Sequence, residues 1–252
     1  MYKRQVLVAY SGGVDSTFLL KVAIDTLGRE NVLAVTARSE TYPSREFKEA
    51  KKYAQEMGAR LKIIQTSELG IKGFKNNPVN RCYHCKKELF SKLIKIAHSE
   101  GMGPCLDGTN YDDRKDVRYG RLAAEELGVR SPLFEAQITK DEIRKLSRQM
   151  RLATWDKPSF ACLASRFPHD TLITKKKLGV VDAAESFVRR LGVRQVRVRH
   201  YGELARIEVS PEDIGLVAKT ANAARVVARF KRFGFKYVTV DLGGYRTGSM
   251  NK

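Results

Sequence analysis

The chain has 252 residues, enough for one large domain or two modest ones with separate cores. Hydrophobic residues make up 42%, which excludes a disordered chain, and no apolar run is long enough to span a bilayer. Lys and Arg total 47 against 28 Asp and Glu, a formal charge of +19. That excess suits nucleotides, nucleic acid or anionic lipid, or simply a well-solvated surface, and says nothing about fold.

The N-terminus, "MYKRQVLVAYSGG", is basic and then apolar. Its apolar run is short, alternates, and leads into a glycine turn, so it reads as a first core strand and a cytoplasmic protein is expected. "QVLVAY" is that strand, "DSTFLLKVAIDTLG" a helix stopped by Gly28, "NVLAVTA" a second strand, "SREFKEAKKYAQEMG" an amphipathic helix and "RLKIIQT" a third strand. "YHCKKELFSKLIKIAHSEG" reads as a helix, "GPCLDGTN" as a buried strand breaking into a turn, and "VRYGRLAAEELG" as a helix. In "TKDEIRKLSRQM", Thr139 followed by Glu142 is a capping box. Strands alternating with helices predict a parallel sheet covered on both faces. After "WDKPSFACLASRFPHD" the rhythm changes. A helix, two alternating strands at "QVRVRHYG" and "LARIEVSP", one long helix "DIGLVAKTANAARVVARFKRFG" and a last strand "KYVTVDLGGY" predict a small module. The expected organisation is an α/β parallel-sheet domain over 1–167 and a small C-terminal α+β domain over 168–252.

"AYSGGVDSTFLL" joins the first strand to the first helix. Gly12 and Gly13 allow a sharp turn and a close approach to a ligand. The helix N-terminus offers unpaired N–H groups, and Ser11 and Ser16 add hydroxyls, which together make a cradle for an anion of pyrophosphate size. Asp15, being acidic, suits a magnesium ion better than phosphate. The loop is neither GxxxxGK[ST] nor GxGxxG. SGGxDS at this place resembles the PP-loop ATP pyrophosphatases (adenine nucleotide α-hydrolase-like), which implies ATP, Mg2+ and cleavage between the α and β phosphates. "CLDGTNYDD" sets Asp107, Gly108, Thr109 and Asn110 beyond a second strand end, where the other wall of a nucleotide site would stand.

Four cysteines are few, and persisting disulfides are rare in a reducing compartment. Cys82 and Cys85 form a CxxC, which suits metal binding or a redox relay. Cys105 reads as a small buried strand residue, and His84 as a helix-surface residue. Cys162 lies next to Arg166, an electropositive setting that favours thiolate chemistry. "SGGVDSTFLL", "DGTNYDD", "KPSFACLASR" and "VRVRHYGELARIEV" together resemble the LarE-type ATP-dependent sulfur transferases over nearly the whole chain, and the last two motifs are far more specific than the first. The resemblance implies that a carboxylate of a pyridinium dicarboxylate mononucleotide is adenylated and its activated oxygen replaced by sulfur, during synthesis of the nickel-pincer nucleotide cofactor. It gives Cys162 one of two fates. Either the residue surrenders its sulfur, or it joins Cys82 and Cys85 in holding a [4Fe–4S] cluster supplied by a sulfide or persulfide donor.

On "VRVRH", Arg197 and Arg199 are two apart and so share a strand face, where two guanidinium groups can grip a phosphate. The resemblance implies a substrate phosphate there, and a homo-oligomer. Arg206 and Glu208 also share a face and can pair. Three other functions fit part of the pattern: a PP-loop tRNA thiolation enzyme with a three-cysteine cluster, an amide-forming ligase such as an NAD synthetase, and an adenine-nucleotide sensor. The first lacks a base-stacking surface here, and the second leaves the cysteines unexplained.

Overall fold

A computed structural model describes residues 5–115 and 119–246. Val117 and Arg118, the first residues of the helix expected at "VRYGRLAAEELG", lie outside the described residues. The chain forms two compact units: residues 1–74 with 79–160, and residues 75–78 with 161–252.

The first unit is built on strands β1 (Val6–Ala9), β2 (Val32–Arg38), β3 (Arg60–Gln65) and β4 (Cys105–Leu106). All pair in parallel, in the order β3-β2-β1-β4. Helices α1 (Val14–Leu27), α2 (Ser44–Glu56), α3 (Arg81–Ser99), α4 (Tyr119–Glu126), α5 (Pro132–Glu135) and α6 (Lys140–Gln149) complete it. The alternation of β1 divides the core. Val6 and Val8 pack with Phe18 and Leu20 of α1 and Ile143 of α6. Leu7 packs on the other face with Phe90 and Leu93 of α3 and Ala124 of α4. A strand sealed on both faces explains why "VLVA" carries no polar residue. From β1 the chain runs outward through β2 and β3, then returns to lay β4 on the opposite side of β1. The carboxyl ends of β1 and β4 therefore flank the point where strand order reverses, the usual crevice for ligands in such sheets.

The second unit holds α7 (Lys175–Arg189), β5 (Val196–Tyr201), β6 (Leu204–Val209), α8 (Ile214–Ala218), α9 (Thr220–Arg232) and β7 (Tyr237–Val240). β5 and β6 are antiparallel, with Val196 opposite Val209, and β7 joins β6 in parallel. The single long helix expected before β7 is two. Lys219 takes an extended conformation (φ −53°, ψ 128°), which breaks the hydrogen-bond ladder between α8 and α9. Asn222 Nδ2 then donates to the Leu216 carbonyl at 2.9 Å, satisfying an acceptor near the break. Phe230 of α9, Val188 of α7 and the inward residues of β5 and β6 form this unit's core. The short segment 75–78 is stitched in by Asn77, whose Nδ2 donates to the carbonyls of Phe167 and Pro168 at 3.0 and 2.7 Å.

His200 lies on β5 between the rings of Phe167 and Phe235, with centroids 5.1 and 5.2 Å away. Its Nδ1 accepts from the Gly202 amide at 3.2 Å, so the neutral ring is the one the fold uses. Burial, and then the charge of Lys177, hold its pKa below the ordinary 6.5. A base whose folded pKa is depressed contributes stability that is complete above the unfolded value and is lost as pH falls below it. The urea midpoint should therefore fall as the solution is acidified from above 6.5 towards the lower folded value. His200→Phe should flatten that limb. Glu185, also held below its ordinary 4.5, loses its contribution only at more acid pH, so the two limbs are separable.

Candidate active site

The turn after β1 is shaped by close packing. Gly12 has φ +68°, and a Cβ there would stand 2.5 Å from Cβ of Ala50 and 2.8 Å from its Cα, so only glycine fits. Tyr42 donates from its hydroxyl to the Ser11 carbonyl at 2.6 Å. Ser16 Oγ lies 3.0 Å from Ser11 Oγ and accepts from the Ser11 amide at 3.2 Å. Gly13 caps α1 without a side-chain hydrogen bond. The first amides of α1 thus face the mouth of the turn with no side chain of their own capping residue upon them.

The turn after β4 supplies the second wall. Gly108 packs directly on the start of α1, and a Cβ there would lie 2.9 Å from the Ser16 nitrogen and 3.3 Å from the Asp15 carbonyl carbon. Asp107 is buried and accepts from Ser131 Oγ at 2.6 Å and Thr109 Oγ1 at 2.8 Å. Asn110 Nδ2 donates to Asp15 Oδ1 at 3.3 Å. Ser11, Gly12, Gly13, Asp15, Ser16, Asp107 and Gly108 therefore meet at one end of the sheet.

Two lysines that the sequence pattern does not single out complete this arrangement. Lys140, the first residue of α6, places Nζ 2.6 and 2.8 Å from the two Asp15 oxygens. Lys157 is buried, donates to the Gly12 carbonyl at 3.2 Å, and pairs with Glu46 and Glu49 of α2 at 2.8 and 2.9 Å. Burial alone would raise the Glu49 carboxyl, but Arg45 and Lys157 outweigh it and hold it low. Turning the Gly12 carbonyl towards Lys157 fixes that peptide from behind. Mg2+ is ordinarily held by one or two carboxylates with substrate phosphates supplying the rest, so a lone Asp15 at the loop fits that ion.

Cys82 is exposed and Cys85 half-buried, one turn apart at the start of α3, with Cys85 Sγ 4.0 Å from Glu68 Oε1. Cys105 is buried, and burial pushes its thiol up to about 12, as suits an inert core residue. None of the four cysteines forms a disulfide. Among the described residues, no group of three or more His, Cys, Asp or Glu side chains is arranged to hold a metal ion. Two soft thiols on one turn fit part of a cluster's donor set.

In the second unit, half-buried Cys162 begins the short turn Leu163–Arg166. Arg166 is buried. It donates to the carbonyls of Ala161 and Cys162 at 2.9 and 3.1 Å, and bidentately to Glu185 at 2.7 and 3.0 Å. The positive charge beside Cys162 is thus matched by a carboxylate, and its role here is to fix the backbone. Arg197 and Arg199 are buried, not solvated. Arg199 binds Glu208 Oε2 at 2.6 Å and the Ser165 carbonyl at 2.8 Å, while Arg206 takes the other Glu208 oxygen at 2.9 Å. Arg197 lies 5.1 Å from the Tyr245 ring centroid, and burial, then repulsion from Arg166, pull its pKa down to about 10.

The NAD synthase family matches residues 2–88. An uncharacterised protein of Synechocystis is 46% identical across 98% of this chain and 92% of its own length. Pyridinium-3,5-bisthiocarboxylic acid mononucleotide synthase of Lactiplantibacillus plantarum is 41% identical across 98% of this chain and 89% of its own. The chain belongs to the LarE family. By contrast, the glutamine-dependent NAD(+) synthetase of Aquifex aeolicus matches 65 residues, at 37% identity. The LarE likeness runs through both units at 41% identity, whereas the Aquifex synthetase covers 26% of the chain and the NH(3)-dependent NAD(+) synthetase of Chlorobaculum tepidum covers 63% at 25% identity.

Gly108→Ala forces a methyl group into backbone that cannot yield. It should cost about 1–3 kcal/mol of stability. It should also weaken ATP binding more than it lowers the thermal midpoint would explain, as read by calorimetric titration beside a melting curve.

Proposed function

We propose that this protein is an ATP-dependent sulfur transferase that adenylates a carboxylate of a pyridinium dicarboxylate mononucleotide and replaces the activated oxygen with sulfur, on the route to a nickel-pincer nucleotide. The observation that carries this reading is the match to the bisthiocarboxylic acid mononucleotide synthase through 98% of the chain.

The α1 amides with Ser11, Gly12, Gly13 and Ser16 receive the ATP phosphates, and Asp107 and Gly108 form the facing wall. Asp15 would hold Mg2+, which would supply neutralisation of the phosphate charge when bound. The substrate carboxylate attacks the α phosphorus, the α–β bridging bond breaks, and pyrophosphate leaves. Sulfur then attacks the acyl carbon, and AMP departs with the former carboxylate oxygen. Arg197 and Arg199 take the substrate phosphate. Burial and Arg166 both disfavour the charge on Arg197, and a phosphate would offset that cost. Cys82, Cys85 and Cys162 would be the ligands of a [4Fe–4S] cluster, which when bound would carry the sulfide to be transferred; a persulfide donor would deliver that sulfide after two-electron reduction by thiols, which leave as a disulfide.

With the pyridinium dicarboxylate mononucleotide, the enzyme should release pyrophosphate and AMP in equal amounts. Unmodified tRNA should release none, and the opposite pattern would establish the tRNA thiolation reading. Anaerobically purified protein should carry iron and acid-labile sulfide, reduced in Cys82→Ala, Cys85→Ala and Cys162→Ala. Iron-free active protein whose Cys162 emerges as dehydroalanine would establish sacrificial transfer instead.

A further inference from the structure

Lys140 stands where a lysine is electrostatically misplaced. It is the first residue of α6, and the helix dipole disfavours a cation there. Yet its position is fixed three ways. The Thr139–Glu142 capping box sets the turn, with the Thr139 amide donating to Glu142 Oε2 at 2.8 Å. The Lys140 amide donates to Asp112 Oδ2 at 2.8 Å. The ammonium group lies on both oxygens of Asp15. The two side chains retain about a quarter of their exposure, 26% and 24%, so the pair is open to solvent and not sealed in the core.

A carboxylate at the mouth of a phosphate cradle would repel an incoming polyphosphate if left uncompensated. An ammonium group cancels that charge. With Nζ on both oxygens, a Mg2+ on the same carboxylate would stand close to the ammonium group, and the two cations would repel each other. Resting on the ATP-site reading above, we infer that Lys140 pairs with Asp15 in the free enzyme and transfers to the nucleotide phosphates when Mg2+ and ATP enter together. Asp15 exchanges one cation for another, and Lys140 exchanges a carboxylate for a phosphate. No charge is left unmatched at either stage. The consequence is coupled binding: the occupied carboxylate weakens binding of Mg2+ alone, and metal enters preferentially with nucleotide.

The test uses Mn2+ as a paramagnetic probe on the full chain, without ATP or sulfur acceptor. Lys140→Met should bind Mn2+ up to roughly fivefold more tightly than the unaltered protein, the magnitude expected for releasing a part-exposed ion pair. The gain should vanish in the double variant with Asp15→Asn. Lys140→Met should also bind ATP, with Mg2+ present, about tenfold to a hundredfold more weakly, as for loss of a charged hydrogen bond. Lys140→Arg keeps the charge and the α6 cap, so it should bind Mn2+ as weakly as the native protein does and retain most of the ATP affinity. Mn2+ binding by Lys140→Met no tighter than native, with Lys140→Arg folded and indistinguishable from it, would overturn the proposal. So would undiminished ATP affinity in Lys140→Met. Neither readout involves sulfur, so failure here is separable from failure of the sulfur-transfer reading.

Discussion

The backbone of Gly108 lies so close to the first turn of α1 that a single methyl group would stand 2.9 Å from the Ser16 nitrogen. That approach is the constraint on which the site depends. It draws the end of β4 onto the end of β1, across the place where strand order reverses. Asn110 can then reach Asp15, and the chain following β4 brings Lys140 onto the same carboxylate. Gly12 performs the matching task on the other flank, where Ala50 of α2 fills the space a side chain would need. Two glycines from different strand ends thus let backbone and α2 pack closely about the start of α1, a helix N-terminus that favours anions by dipole and hydrogen bond.

Much of this first unit was legible because its signals are local. Strand–turn–helix context made SGGVDS interpretable, and the Thr139–Glu142 spacing marked the start of α6. What escaped sequence reading is the long-range pairing. Lys140 follows the capping threonine and looks like any surface lysine, and its partner lies 125 residues away. The available clue is its position at a helix N-terminus, where a cation needs a compensating partner. Lys157 was hidden inside a motif read for its cysteine, though it braces the Gly12 peptide between two glutamates. In the second unit the paired strands followed from alternation, but the break at Lys219 did not, because "DIGLVAKTANAARVVARF" is helical in pattern throughout and carries neither glycine nor proline at the break.

The arginines show how composition can mislead when burial is unknown. The run "VRVRH" reads as a strand face on which two arginines can grip a phosphate. In the structure Arg199 is bound to Glu208, Arg166 is bound to Glu185, and both pairs are almost fully covered. Charge here organises the interior of the second unit and holds the Cys162 turn by its carbonyl. Such pairs add little net stability compared with apolar packing, but removal of one member leaves a buried charge exposed to a severe desolvation cost. Pairs of this kind add nothing to the net charge of +19, which is the excess left after every carboxylate is counted.

The central claim is that a substrate carboxylate becomes an acyl adenylate before sulfur arrives. The most direct measurement is mass analysis of AMP formed from a substrate whose carboxylates carry heavy oxygen. The account requires one labelled oxygen in AMP and none in pyrophosphate, because the carboxylate oxygen that attacks the α phosphorus leaves on AMP. Unlabelled AMP formed alongside thiocarboxylate product would contradict it, since ATP would then have been cleaved without activating the carbon that receives sulfur.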